Sequence, residues 1–143
     1  MLVRQILGKT GGPDVVTIEP EASVADAAQL LSRKRIGALV VCSDDRPVGM
    51  LSERDIVREL GRRGEICLKE RVSDMMTPKV ISCTPDQSAD QVLQQMTDGR
   101  FRHMPVMEGE RMIGLISIGD VVKARLSELT MEKDALEGMI KGY

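Results

Sequence analysis

The chain writes one unit twice. Shifted by 65 positions against itself without a gap, residues 20–58 fall on residues 85–123. Pro20 meets Pro85, Ser23 meets Ser88, Arg35 meets Arg100, Gly49 meets Gly114, Ser52 meets Ser117 and Asp55 meets Asp120. Self-similarity at one fixed offset marks a duplicated structural unit, and two copies alone point to a pseudo-symmetric pair rather than a solenoid. At 143 residues the chain has room for a real core but is short for two independent domains, so the copies are expected to share one.

Each copy reads as an extended segment, a helix, two strands and a second helix. Ser23 precedes Val24, Ala27, Ala28 and Leu31 at helical spacing, with Asp26 placed to complete a capping box. Ser88, Gln91 and the stripe Ala89, Val92, Leu93 and Met96 repeat the device. Ile36 to Val41 and Phe101 to Met107 are apolar runs of strand length, followed by polar turns at 43–46 and 108–111. Second strands run through Val48 to Leu51 and Ile113 to Ile116, and second helices start just after Ser52 and Ser117. The expected division is an N-terminal segment 1–14, a first repeat 15–64, a linker and lead-in 65–79, a second repeat 80–126 and a C-terminal helix 127–143. In that helix Val122, Leu126, Leu129, Leu136 and Ile140 follow an alternating 4,3 spacing with only Lys133 out of pattern, a seam that wants a partner helix.

Composition removes several function classes. A formal net charge of −2 provides no basic field for nucleic acid, and Phe101 and Tyr143 are the only aromatic residues, too few for base-stacking platforms. Cys42, Cys67 and Cys83 are odd in number and form no C-x-x-C, which fits reduced thiols better than a disulfide framework or a zinc site. No apolar run resembles a signal peptide or a membrane span, so a cytoplasmic location is expected. A single histidine excludes a multi-histidine metal centre, and no Gly-x-x-x-x-Gly-Lys-Ser/Thr loop is present.

The chemistry concentrates in two constellations. Ser52 with Asp55, and Ser117 with Asp120, are capping boxes when read alone. Their context, Gly-h-h-Ser-x-x-Asp (h, apolar), sets the cap directly on a strand end, so helix amides, a hydroxyl and a carboxylate converge beside the sheet. The amides and hydroxyl suit a phosphate and the carboxylate suits ribose hydroxyls; a nucleotide offers both. The second constellation is Arg100-Phe-Arg-His-Met-Pro-Val106, in which Phe101, Arg102 and His103 stand where the first repeat has Ile36, Gly37 and Ala38. The small apolar edge suits a flat base and the cationic edge suits a phosphate, although a solvated basic edge reads equally from these residues alone. Arg33, Lys34, Arg35, Arg58, Arg62 and Arg63 read as solvated helix faces.

These boxes, together with Val-x-x-Met-Met-Thr-Pro78 and Gly-Leu-Ile-Ser-Ile-Gly-Asp-Val-Val122, resemble the cystathionine β-synthase (CBS) domain family across nearly the whole chain. The resemblance implies an α/β (α+β) fold: two β-α-β-β-α repeats packed as one pseudo-twofold CBS pair, or Bateman module, with a C-terminal helix. It also implies two composite clefts for adenine nucleotides. In one, Ser117, Gly119 and Asp120 would face Thr17, Ile36, Gly37 and Ala38, with Asp120 on the ribose and Arg100, Arg102 and His103 near the phosphate. In the other, Ser52, Arg54 and Asp55 would face Ser82 and the Phe101-Arg102 edge. Arg54 in place of Gly119 makes equal binding at the two clefts unexpected. The implied function is a non-enzymatic regulatory module that binds AMP, with ADP, ATP or NAD as alternatives, and signals occupancy to an effector protein. A ligand-free interaction module and a small phosphoryl-transfer enzyme using His103 are the rivals. A homodimer is expected from the resemblance and from the apolar seam.

Overall fold

Ser23 starts the first helix of repeat 1 by accepting the Asp26 N–H on its hydroxyl at 3.0 Å. The computed structural model describes residues 1–9 and 15–140. The end of the expected N-terminal segment, 10–14, and the tip of the expected C-terminal helix, 141–143, lie outside the described residues. Helix α1 spans Val3–Lys9 and strand β1 spans Thr17–Ile18. Helix α2 (Val24–Lys34) then buries Val24, Ala27 and Leu31 along one stripe. The expected capping box at Ser23 forms only by half, because the Asp26 carboxylate stays exposed and makes no reciprocal bond.

Both first helices end at an arginine in the left-handed region, Arg35 at φ 55° and Arg100 at φ 57°. Behind each, the next N–H turns back to the helix: Ile36 donates to the Leu31 carbonyl and Phe101 to the Met96 carbonyl, both at 3.2 Å. This C-terminal closure uses the residues that sequence reading placed at the strand starts. Strand β2 therefore spans Ala38–Ser43 and, with β3 (Arg46–Ser52), forms an antiparallel pair in which Ala38 faces Ser52. Asp44 and Asp45, both at positive φ, close the two-residue turn between them. The first sheet has the order β1-β2-β3, with Thr17 opposite Val40 in parallel. Helix α3 (Glu53–Arg63) leaves directly from the end of β3.

Repeat 2 follows the same plan with α5 (Ala89–Gly99), β4 (His103–Glu108), β5 (Arg111–Ser117) and α6 (Ile118–Ile140), the last one unbroken helix. Its sheet has two strands, β4-β5. Proline explains the missing third. In repeat 1 the Val40 N–H donates to the Val16 carbonyl, but the residue in Val40's place is Pro105, which has no N–H. What remains is one parallel bridge, Cys83 opposite Val106, with Cys83 N–H on the Pro105 carbonyl at 2.9 Å and Met107 N–H on the Cys83 carbonyl at 2.8 Å.

Between the repeats a 3-10 turn (Glu65–Lys69) buries Cys67 and a short helix α4 (Val72–Met75) buries Val72. The stretch expected to be a linker is therefore part of the packed structure. The described residues fall into two units: one holds 15–81 and 109–112, the other 1–9, 82–108 and 113–140. In the first unit Val24, Ala27, Leu31, Leu39, Val41, Leu51, Ile56 and Val72 form a buried cluster. Each repeat is thus completed by a lead-in segment, α4 for repeat 1 and α1 for repeat 2. Val72 and Ser73 donate to the carbonyls of Ala22 and Pro20 at 2.7 and 2.9 Å. Val3 and Arg4 donate to the equivalent carbonyls of Gln87 and Pro85 at 2.9 and 3.0 Å. The segment that precedes repeat 1 in sequence serves repeat 2, and the segment that precedes repeat 2 serves repeat 1.

The repeated glycines explain themselves against these lead-ins. A Cβ on Gly49 would run into the Met76 sulfur and stand 2.9 Å from the Thr77 carbonyl oxygen, while Met50 and Thr77 exchange backbone hydrogen bonds at 3.0 and 2.9 Å. A Cβ on Gly114 would stand 2.7 Å from a terminal methyl of Leu7. The tip of a leucine yields more readily than a paired backbone. Gly49→Ala should therefore destabilise by about 2 kcal/mol and Gly114→Ala by roughly 1 kcal/mol or less, read from urea unfolding midpoints of the two variants. Equal losses, or a larger one at Gly114, would contradict this packing.

Candidate nucleotide-binding site

Each strand end becomes a helix start through a closed box. In repeat 1 the Asp55 N–H donates to the Ser52 hydroxyl at 3.2 Å and the Ser52 N–H to Asp55 Oδ2 at 2.9 Å. In repeat 2 the Asp120 N–H donates to the Ser117 hydroxyl at 3.1 Å and the Ser117 N–H to Asp120 Oδ2 at 3.0 Å. A further bond ties each helix to the start of the neighbouring strand: Glu53 N–H to the Gly37 carbonyl at 2.9 Å and Ile118 N–H to the Arg102 carbonyl at 2.8 Å. The Schellman-type end of one helix, the first residues of a strand and the amides of a second helix therefore meet at one end of each sheet.

Within the first unit this brings Gly37 and Ala38 beside Ser52, with Ile36 one residue upstream and half-buried. Thr17 lies exposed on β1, two rungs along the sheet from Ala38, and Arg54 is exposed on the first turn of α3. Within the second unit Arg102 abuts the start of α6 at Ser117, Gly119 and Asp120, and His103 opens β4 half-buried. Arg100 and Arg102 are exposed, and Ser82 is exposed beside the Cys83 bridge. Phe101 does not project freely. Its ring folds back over Gly99, where a Cβ would strike it, so the bulk expected at this edge is laid against the end of α5.

The two boxes differ in what they leave free. The second carboxylate oxygen of Asp55 accepts from Arg58 Nη2 at 3.1 Å, so this acid is held on both oxygens. Among the described residues Oδ1 of Asp120 has no partner, and the residue in Arg58's place is Lys123. Gly119 also differs from the packing glycines: a Cβ there would meet only the Ser117 hydroxyl, at 3.6 Å. Neither packing nor backbone conformation requires glycine at 119, while the same place of repeat 1 holds the exposed Arg54. Arg58 is the site residue that sequence reading set aside as a solvated charge; the Asp-x-x-Arg spacing on one helix face was its signal.

The thiols stand apart from this chemistry. Burial pushes the Cys83 thiol up to about 12, and burial followed by the Asp45 charge raises Cys42. Among the described residues no cluster of His, Cys, Asp and Glu is placed to hold a metal ion, and no helix is long and apolar enough to cross a membrane.

A duplicated β-α-β-β-α unit, each copy turning from strand to helix through a Ser-x-x-Asp box, defines a tandem α/β repeat protein. The sequence profile of the CBS domain matches residues 3–62 and 72–127, and the chain belongs to the CBS domain family. The crystal structure of the CBS-domain containing protein ATU1752 from Agrobacterium tumefaciens superposes with a TM-score of 0.83 at 44% identity, covering 87% of this chain and 99% of that one. The mitochondrial CBS domain-containing protein CBSX3 of Arabidopsis thaliana is 34% identical over 140 residues, covering 94% of this chain and 68% of the relative. The CBS domain pair of MJ0100, solved in complex with 5′-methylthioadenosine and S-adenosyl-L-methionine, shares the fold with a TM-score of 0.78 at 22% identity, covering 90% and 98% of the two chains.

Because the native state holds the Cys83 thiol neutral, its contribution to stability is complete below the ordinary thiol value and is lost as pH rises toward about 12. Thiol alkylation at pH 8 should therefore label Cys42 ahead of Cys83 in the folded chain, and both equally in urea. Rapid labelling of Cys83 in the native state, read by peptide mass spectrometry, would contradict the burial described.

Proposed function

We propose that the chain is a non-enzymatic regulatory module that binds an adenine nucleotide, AMP foremost, and passes its occupancy to an effector protein. The observation that carries this reading is the second box: Asp120 is locked by one oxygen and leaves the other without a partner among the described residues, beside a helix start that carries a glycine the fold does not need. A carboxylate oriented in this way is a ready acceptor for ribose hydroxyls, and the exposed guanidinium groups of Arg100 and Arg102 supply donors for a phosphate. The family resemblance would complete this cleft with Thr17, Ile36, Gly37 and Ala38 of the other repeat beside Ser117, Gly119 and Asp120, and would give His103 to the phosphate. The reciprocal cleft, with Ser52, Arg54, Asp55, Ser82, Phe101 and Arg102, is the weaker one, because Arg58 already occupies the Asp55 carboxylate. MJ0100 carries adenosine-containing ligands on this fold; for the present chain the likeness supports the fold, and the ligand reading rests on its own residues. We place the module in a reducing soluble compartment, the cytoplasm first. ADP, ATP and NAD share the adenine and ribose contacts and are the competing ligands.

Calorimetric titration with AMP, ADP, ATP, NAD and GMP tests the reading. Asp120→Ala should weaken AMP by about 1.5–3 kcal/mol, the range for a hydrogen bond to a charged group. Gly119→Arg should abolish binding at this cleft with little change in melting temperature. Ser88→Ala breaks a box of the same kind on α5, with bonds of 3.1 and 2.9 Å, and should cost about 1 kcal/mol of stability while sparing AMP. Indistinguishable AMP affinities for Asp120→Ala and Ser88→Ala would sink the site, and binding of GMP as tight as AMP would sink the adenine reading.

A further inference from the structure

Among the described residues nothing covers the seam along the last four turns of α6. Every residue from 129 to 137 is exposed, so no face of this stretch is covered, and Leu126, Leu129, Leu136 and Ile140 are 59%, 47%, 60% and 85% exposed. A solvated helix of this length gains little from its own hydrogen bonds and is stabilised mainly by burying an apolar face. The spacing of Val122, Leu126, Leu129, Lys133, Leu136 and Ile140 is that of a and d positions, with Leu126, Lys133 and Ile140 at a and Val122, Leu129 and Leu136 at d.

We propose that this face is covered by α6 of a second copy of the chain, running antiparallel. Charge decides both occupant and direction. In a parallel pair, equal positions meet across the axis: Lys133 would face the partner's Lys133 in the seam, and Glu132 would flank the partner's Glu137 on both sides, all like charges. Turning one helix around matches a positions to d positions. Val122 then faces the partner's Ile140, Leu126 the partner's Leu136 and Leu129 the partner's Lys133, whose stem lies along the leucine while its charge reaches solvent. This register leaves no apolar seam residue without a mate. It also sets Lys123 beside the partner's Glu137 twice, once at each end. The one like-charge meeting, Glu132 with the partner's Glu132, is flanked by Lys133 of both chains. The pairing rests on α6 alone and does not depend on the nucleotide reading.

The test is the dimer dissociation constant of the full chain by sedimentation equilibrium, without nucleotide. The wild type should dimerise at micromolar concentration, and Leu136→Asp, at an exposed position, should raise the constant by about tenfold or more without changing the circular dichroism or the ligand titration. Lys123→Glu and Glu137→Lys should each weaken the dimer by about fivefold, and the double exchange should return it to within roughly twofold of wild type. Glu137 also lies 3.8 Å from Lys133 of its own helix, but that pair is lost in Glu137→Lys and in the double exchange alike and cannot imitate rescue. A monomeric wild type, a Leu136→Asp variant that remains dimeric, or a double exchange no better than its parents would overturn the proposal.

Discussion

The contact on which the rest of this structure depends is the close approach of a short lead-in helix to a glycine on the second strand of a repeat. Met76 and Thr77 lie on Gly49, and Leu7 lies on Gly114, so close that a methyl group would displace them. These contacts come with paired backbone bonds that fix where the first helix of each repeat begins: Val24 N–H on the Glu70 carbonyl and Ala89 N–H on the Met1 carbonyl, both at 2.8 Å. A short helix has little stability of its own, and here it gains order by docking on a finished sheet. Because each lead-in serves the repeat that it does not immediately precede, the unit of repeat 2 takes in residues 1–9 from the far side of repeat 1 in sequence, whereas α4 follows directly on the repeat that it serves. Duplication and exchange are in this way one design.

Much of the plan was legible because it is written in periodicity and caps. The helix stripes at Val24, Ala27 and Leu31 and at Ala89, Val92 and Met96 are buried as their spacing predicts, and the strand pairs and second helices follow the repeated boxes. What escaped reading depends on contacts between segments distant in sequence. Val3 and Ile6 are buried one turn apart, a short apolar pattern visible in the sequence, but no local property says that it docks beside Pro85 and Gln87. The strand starts at Ala38 and His103 were misplaced by two residues because Arg35 and Arg100 adopt a left-handed cap that sequence reading reserves for glycine or asparagine. The loss of a third strand from the second sheet was in principle readable, since Pro105 removes the one N–H that the ladder requires.

The boxes show how one device divides between structure and chemistry. All four bonds of the two Ser-x-x-Asp boxes form, so capping alone accounts for their presence in the sequence. The functional content lies in the residues that differ between copies. Arg58 occupies the second oxygen of one carboxylate, whereas among the described residues the second oxygen of Asp120 has no partner, and Gly119 stands where repeat 1 has Arg54. Duplication supplied two equal frames, and the asymmetry of a few side chains is the basis on which we propose one of them as the binding cleft. That distinction was partly visible in the exchange of Arg54 for Gly119, but the part played by Arg58 needed the geometry.

Amide spectra of the isotopically labelled chain titrated with AMP test most directly whether an adenine nucleotide settles, as proposed, at the Ser117–Asp120 box of repeat 2. Saturable shifts should concentrate at Ser117, Gly119 and Asp120, with smaller ones at Ser52 and Asp55. An unchanged spectrum at saturating AMP, or shifts confined to surfaces away from both boxes, would contradict it.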